Sequence, residues 1–146
     1  MNPAYRSVLA LLVAVFFMVI GNGLLNTLVP IRAKLEGFDE TGIGLLGSAY
    51  FAGMLLGAIF APALVRRAGH IRSLALSVAI GTIASLAFAV DTSAITWLTA
   101  RFATGFCFAG LYATVESWLQ GKAENAIRGR VLGIYSVIQF SAWAVG

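Results

Sequence analysis

Three stretches of this chain run for eighteen residues or more without a charge: residues 7–31 between Arg6 and Arg32, residues 41–65 between Glu40 and Arg66, and residues 73–90 between Arg72 and Asp91. Nothing else in the sequence restricts the fold so severely. About 20 mostly apolar residues cross the ~30 Å hydrocarbon core at 1.5 Å rise per residue. A fourth apolar run, residues 93–119, holds only Arg101 and Glu116, and a fifth begins after Arg130. Charged residues make up 11% of the chain and hydrophobic ones 60%, against roughly a quarter charged in soluble domains. The class is therefore an all-α polytopic membrane protein, with spans expected near 7–30, 42–65, 73–91, 94–119 and 131–146. No soluble domain fits between them. The first run reads as a span rather than a cleaved secretory signal, because it is long and further spans follow. The last run is expected to be an incomplete span of a longer protein; a short tilted segment is the alternative.

Lysine and arginine fall unevenly on the two sides that alternating loops define. Arg6, Arg66, Arg67, Arg72, Lys122, Arg128 and Arg130 share the side of the N-terminus, whereas the other side holds Arg32 and Lys34 beside Glu36, Asp39 and Glu40. The positive-inside rule makes the richer side cytoplasmic. The net charge of +4 is thus topological, and no nucleic-acid partner is expected. At the opposite side Asp91, Thr92 and Ser93 suit a helix N-cap, and Trp97 and Trp118 are expected as interfacial anchors at the two ends of the fourth span.

The fourth span reads RFATGFCFAGLYATVESWL from Arg101. At 100° per residue, Gly105, Phe108, Tyr112 and Glu116 lie within about 60° of Arg101 on one face. The fifteen residues from Arg101 to Glu116 rise about 22 Å, so the two charges cannot pair. Arg101 lies at hydrocarbon depth, where arginine costs roughly 2.5–3.5 kcal/mol and commonly faces a pathway or the bundle interior; anchoring to backbone carbonyls is the structural alternative. Glu116 is shallow and on the basic side. Asn22 and Asn26, four apart in the first span, share a face and either join helices or line a polar cavity. Small residues recur at four-residue steps, Gly53, Gly57 and Ala61 in the second span and Gly105, Ala109, Ala113 and Ser117 in the fourth. Such ridges let helices approach closely in lipid.

Other chemistries find little here. One histidine and one cysteine, Cys107, offer no metal constellation and no intramolecular disulfide. There are no paired acids on one face and no nucleophile beside a base, so the chain does not read as an enzyme, and no cofactor is expected.

These residues resemble the N-terminal part of a major facilitator superfamily transporter. That family's motif between the second and third helices runs roughly G-x-x-x-D-R-x-G-R-R; here ALVRRAGHIRS supplies Arg67, Gly69 and a base at Arg72, with Pro62 at the leading glycine position and Arg66 at the acid position. Arg101, Gly105 and Gly110 match the arginine-and-glycine motif of the fourth helix, and VESWL and IRGR follow with Glu116, Arg128 and Arg130. The finer pattern, with LNTLVP in the first helix, is similar to the YcaD-like branch. The resemblance implies twelve helices in two six-helix halves around a central cavity, with this chain giving the first four and part of a fifth.

It further implies a secondary transporter of a small solute in the plasma (inner) membrane, proton-coupled, and completed by C-terminal helices of the same protein. Arg101, Tyr112, Asn22 and Asn26 are the candidates for the pathway. Arg66, Arg67, Gly69, Arg72, Glu116, Arg128 and Arg130 are candidates for a cytoplasmic gate, in which Glu116 would supply the acid that Arg66 displaces. Gly53, Gly57, Gly105 and Gly110 are packing positions. Two rival readings stand: a small complete transporter acting as a homo-oligomer, and a non-transporting membrane assembly protein.

Overall fold

The uncharged runs become helices, as they must where no water can satisfy backbone N–H and C=O groups. A computed structural model describes the backbone of residues 3–122 and 128–146 and the side chains of residues 9–121, 129 and 132–146. Five helices lie in this part: α1 (Pro3–Leu35), α2 (Glu40–Ala68), α3 (His70–Val90), α4 (Ala94–Lys122) and α5 (Arg128–Val145). Each of the first four is long and apolar enough to cross a bilayer, and the apolar part of the fifth is shorter, Leu132–Val145. α1 and α2 run past the apolar stretches at both ends and α4 at its C-terminal end, because charge marks the edge of hydrocarbon whereas helical bonding continues into the interface.

The links are short and capped. Gly37, at φ 87°, turns the chain after α1. Asp39 then caps α2, its Oδ1 accepting from the Gly42 N–H at 2.8 Å. Gly69 alone joins α2 to α3. Its φ of 81° and ψ of 164° lie in a region essentially reserved for glycine. The Gly69 N–H closes α2 on the Val65 carbonyl at 2.9 Å, and its carbonyl accepts from Ser73 at 3.1 Å. One residue thus ends one helix and starts the next. At the far end Ser93 caps α4 by accepting the Thr96 N–H at 3.3 Å. Asp91 accepts hydroxyl hydrogen bonds from Ser93 at 2.7 Å and Thr96 at 2.5 Å.

The chain divides into two compact units, residues 30–121 and residues 1–29 with 122–146. In the larger unit α4 packs against α2 through the two small-residue ridges. A Cβ placed on Gly53 would run into the Phe102 carbonyl, one on Gly57 into the Phe106 carbonyl, and one on Gly105 into the Tyr50 carbonyl. The helices therefore meet backbone to backbone, where van der Waals contact rather than hydrophobic transfer supplies the attraction. α4 meets α3 along another line: a Cβ on Gly110 would lie 3.0 Å from the Ser77 hydroxyl, and one on Gly81 3.7 Å from the Cys107 Cβ. In the smaller unit α1 and the end of α5 also touch backbone to backbone, with Gly23 against Gly146 and Gly146 against Ile20.

Burial follows this packing. Val15, Val19, Asn22, Val29 and Ala33 form a buried stripe on α1, while Phe17, Leu24, Leu28, Ile31 and Leu35 are exposed. α4 differs from its neighbours: 56% of its most apolar window is buried against 22% in each of α1, α2 and α3. An apolar helix with its larger side chains outward is what a lipid solvent requires, and α4 is the helix with the least left for lipid.

Candidate functional site

Arg101 enters α4 about two turns from its N-terminal end and is 4% exposed. Its guanidinium carbon stands 4.7 Å from the centroid of the Tyr50 ring, within the ~6 Å range of a cation–π contact. Tyr50, on α2, is itself 2% exposed and meets Phe51 edge-on at 5.5 Å between ring centres. Desolvated cation–π contacts are worth about 2 kcal/mol or more, the same order as the insertion cost of a central arginine. The backbone explains the encounter. Gly105 lies one turn along α4 from Arg101 and presses on the Tyr50 carbonyl, so the level at which α2 touches α4 sets the ring beside the guanidinium. Thr104 adds a hydroxyl hydrogen bond to the Arg101 carbonyl at 2.9 Å.

The other pathway candidates are placed as follows. Tyr112 is half-buried on α4, its ring 6.0 Å from that of Phe108, on the same side of the helix as Arg101 by helical turn. Asn22 and Asn26 belong to the smaller unit and are described within it. Asn22 is 1% exposed and Asn26 half-buried on the same α1 face. Pro30 lies inside α1, and a proline there leaves the carbonyl of Asn26, four residues earlier, without its helical N–H.

At the opposite end of the larger unit, Arg66 and Arg67 occupy the last turn of α2, where cations complement the helix dipole, and Arg72 the first turn of α3. All three are exposed, and none forms an ion pair among the described residues. The other end differs, since Arg32 pairs with Glu36 at 2.5 Å. Glu116 is exposed on α4 and is not brought to Arg66, Arg67 or Arg72 in this structure. What joins α4 to the α2–α3 link is the next residue: Ser117 Oγ lies 3.1 Å from His70 Nε2. The side chains of Arg128 and Arg130 lie outside the described residues. Gly53, Gly57, Gly105 and Gly110 all stand at helix contacts.

One expectation needs correcting. Trp97 is not a lipid-facing anchor; it is 0% exposed. Its ring stacks on Phe38 at 5.3 Å and meets Phe88 edge-on at 5.5 Å, while its indole N–H donates to the Asp91 carbonyl at 2.6 Å. Depth along a helix can be read from sequence, but Trp97 faces inward around it. Two contacts were not anticipated from the sequence. Tyr50 had a faint signal, a polar aromatic among the small residues of GSAYFAG. His70 stood between the motif arginines without a recognisable partner.

A bundle of apolar helices with outward-facing leucine, isoleucine and phenylalanine, and with a buried arginine held on a tyrosine ring, defines a multi-pass membrane protein of the all-α class. The Major Facilitator Superfamily model matches residues 11–146, and the chain belongs to that family. It is similar to an uncharacterized MFS-type transporter of Enterobacter sp. (strain 638), with 30% identity over 146 residues. The match covers 100% of this chain and 38% of that relative. MFS-type transporter YcaD of Salmonella newport (strain SL254) is 29% identical over the same share of each chain. YcaD of Salmonella typhi is 29% identical over 141 residues, 97% of this chain and 37% of the relative. The chain thus spans under two fifths of the length of these relatives. No solved structure matches.

Proposed function

We propose that this chain forms the first helices of a secondary transporter that moves a small solute by alternating access, with Arg101 supplying positive potential to the pathway. The buried position of Arg101 against Tyr50 on the most buried helix is the observation that carries this reading. A guanidinium held at that depth can bind an anionic group on the solute, or favour the ionised form of a carboxylate that carries a coupling proton. Tyr112 adds a polar group on the same side of α4 in this proposal, and Asn22 and Asn26 are the pathway candidates of the smaller unit. Further helices of the same protein would complete the six-helix half and supply the second half, in a plasma membrane with the N-terminus cytoplasmic.

The basic α2–α3 link, Arg66 to Arg72, serves as part of the cytoplasmic gate, closed on its acid partner in one state and apart from it in the other. Glu116 is that partner, on the same end of the larger unit. No separate observation favours the membrane-assembly reading. Uptake into proteoliposomes containing the full-length gene product tests the proposal. A panel of small carboxylates and phosphate esters is added outside, accumulation is followed by mass spectrometry, and internal pyranine reports proton movement. Accumulation of at least one anion above protein-free liposomes is expected. A rate equal to that of protein-free liposomes for every member would contradict the anion-transport reading.

A further inference from the structure

We propose that the His70–Ser117 contact is a neutral tie that competes with the gate pair, holding Glu116 away from the arginines of the α2–α3 link until it opens. The inference rests on the gate reading of Glu116 given above and adds what regulates that pair. Ser117 Oγ and His70 Nε2 lie 3.1 Å apart, joining residues 47 positions apart in the chain. Glu116, the residue before Ser117, is exposed and forms no ion pair with Arg66, Arg67 or Arg72 in the same structure. One contact is made and the other is not.

Helix geometry makes the two contacts alternatives. Successive residues point 100° apart around α4. With Ser117 turned to His70, Glu116 is turned that far away from it. A twist of the α4 end that brought Glu116 round to the link would carry Ser117 out of reach of His70. On the other side, His70 is the first residue of α3 and directly follows Gly69, the single residue between α2 and α3. The tie therefore grips the same short link that carries the arginines.

The two contacts are also of similar strength. An exposed neutral hydrogen bond exchanges with water at little net gain, and an exposed ion pair gains little more. Neither holds the end of α4 outright. Removing one should therefore move the balance by a few-fold rather than abolish a state.

Carbodiimide coupling on the full-length protein in nanodiscs tests the competition, because it joins a carboxylate to an amine only where the two touch. Arg66→Lys and Arg67→Lys, made singly, put an amine on the link with its charge kept. Mass spectrometry of the joined peptides then gives the yield of coupling to Glu116. Ser117→Ala and His70→Ala should each raise that yield about threefold or more, and the double variant should rise no further than either single one. Ser117→Thr, which keeps the hydroxyl, should stay near the parent yield. Unchanged or lower yields in both alanine variants would overturn the tie and leave the gate pair standing. No coupling to Glu116 in any variant would remove the gate pair, and the competition with it.

Discussion

Asp91 shows how one side chain organises a membrane-surface turn. Hydrogen bonds from Thr96 first, and then Ser93, hold its carboxyl below the ordinary aspartate range. Its carbonyl receives the indole of Trp97, so the same residue fixes the start of α4 and the seat of a buried tryptophan. The folded-state pKa is lowered, so the stabilisation is fully present above the unfolded aspartate value of about 4 and is lost as pH falls through the folded value. Asp91→Asn should flatten that acid limb in a Tm-against-pH series of the full chain, and an acid limb identical to wild type would contradict it. At this scale the sequence was legible where chemistry is local. The cap residues of α4 and the shared face of Asn22 and Asn26 follow from spacing alone. Trp97 and Tyr50 were not legible, because what a ring touches depends on the rotation and register of another helix, which no local pattern encodes.

The α2–α4 contact is the element on which the candidate site rests. Adding a methyl group at Gly53 or Gly105 would drive it into a backbone carbonyl that cannot rotate away. Overpacking of this kind costs about 1–3 kcal/mol. Gly44 and Gly47 lie on the same helix α2 with nothing within 4 Å of an added Cβ, and there alanine should be neutral or stabilising by about 0.4–1 kcal/mol through the unfolded chain. A clear Tm drop in Gly53→Ala and Gly105→Ala beside unchanged or raised Tm in Gly44→Ala and Gly47→Ala is the expected pattern. Equal effects at all four positions would show that the ridge does not set the spacing. The ridges themselves were readable as four-residue steps of small residues. Their pairing with each other, and the division of α4 into a line facing α2 and a line through Gly110 and Cys107 facing α3, belong to tertiary packing. The residues proposed for the gate behaved similarly: the basic ends of α2 and α3 follow from the sequence, but the His70–Ser117 contact needed the structure.

For the whole molecule, two further predictions follow from charge. The end of the larger unit that holds the α2–α3 link carries exposed arginines with no ion pair among the described residues, whereas Arg32 is matched by Glu36 at the other end. In a Cys107→Ala background, Thr92→Cys should react with an impermeant maleimide in intact cells and Arg67→Cys only after permeabilisation; the opposite pattern would reverse the topology. If Glu116 closes the cytoplasmic gate, Glu116→Gln should shift the protein toward the inward-open population and change the uptake rate. No change in either quantity would remove Glu116 from the gate.

The proposed function turns on the buried positive charge of Arg101 working in the pathway of a small-solute transporter. The most direct measurement compares uptake by the full-length protein carrying Arg101→Ala and Arg101→Lys, reconstituted at equal density. Loss of uptake in Arg101→Ala with retention in Arg101→Lys is the predicted result, because charge rather than packing is required. Wild-type rates in both variants would contradict the account.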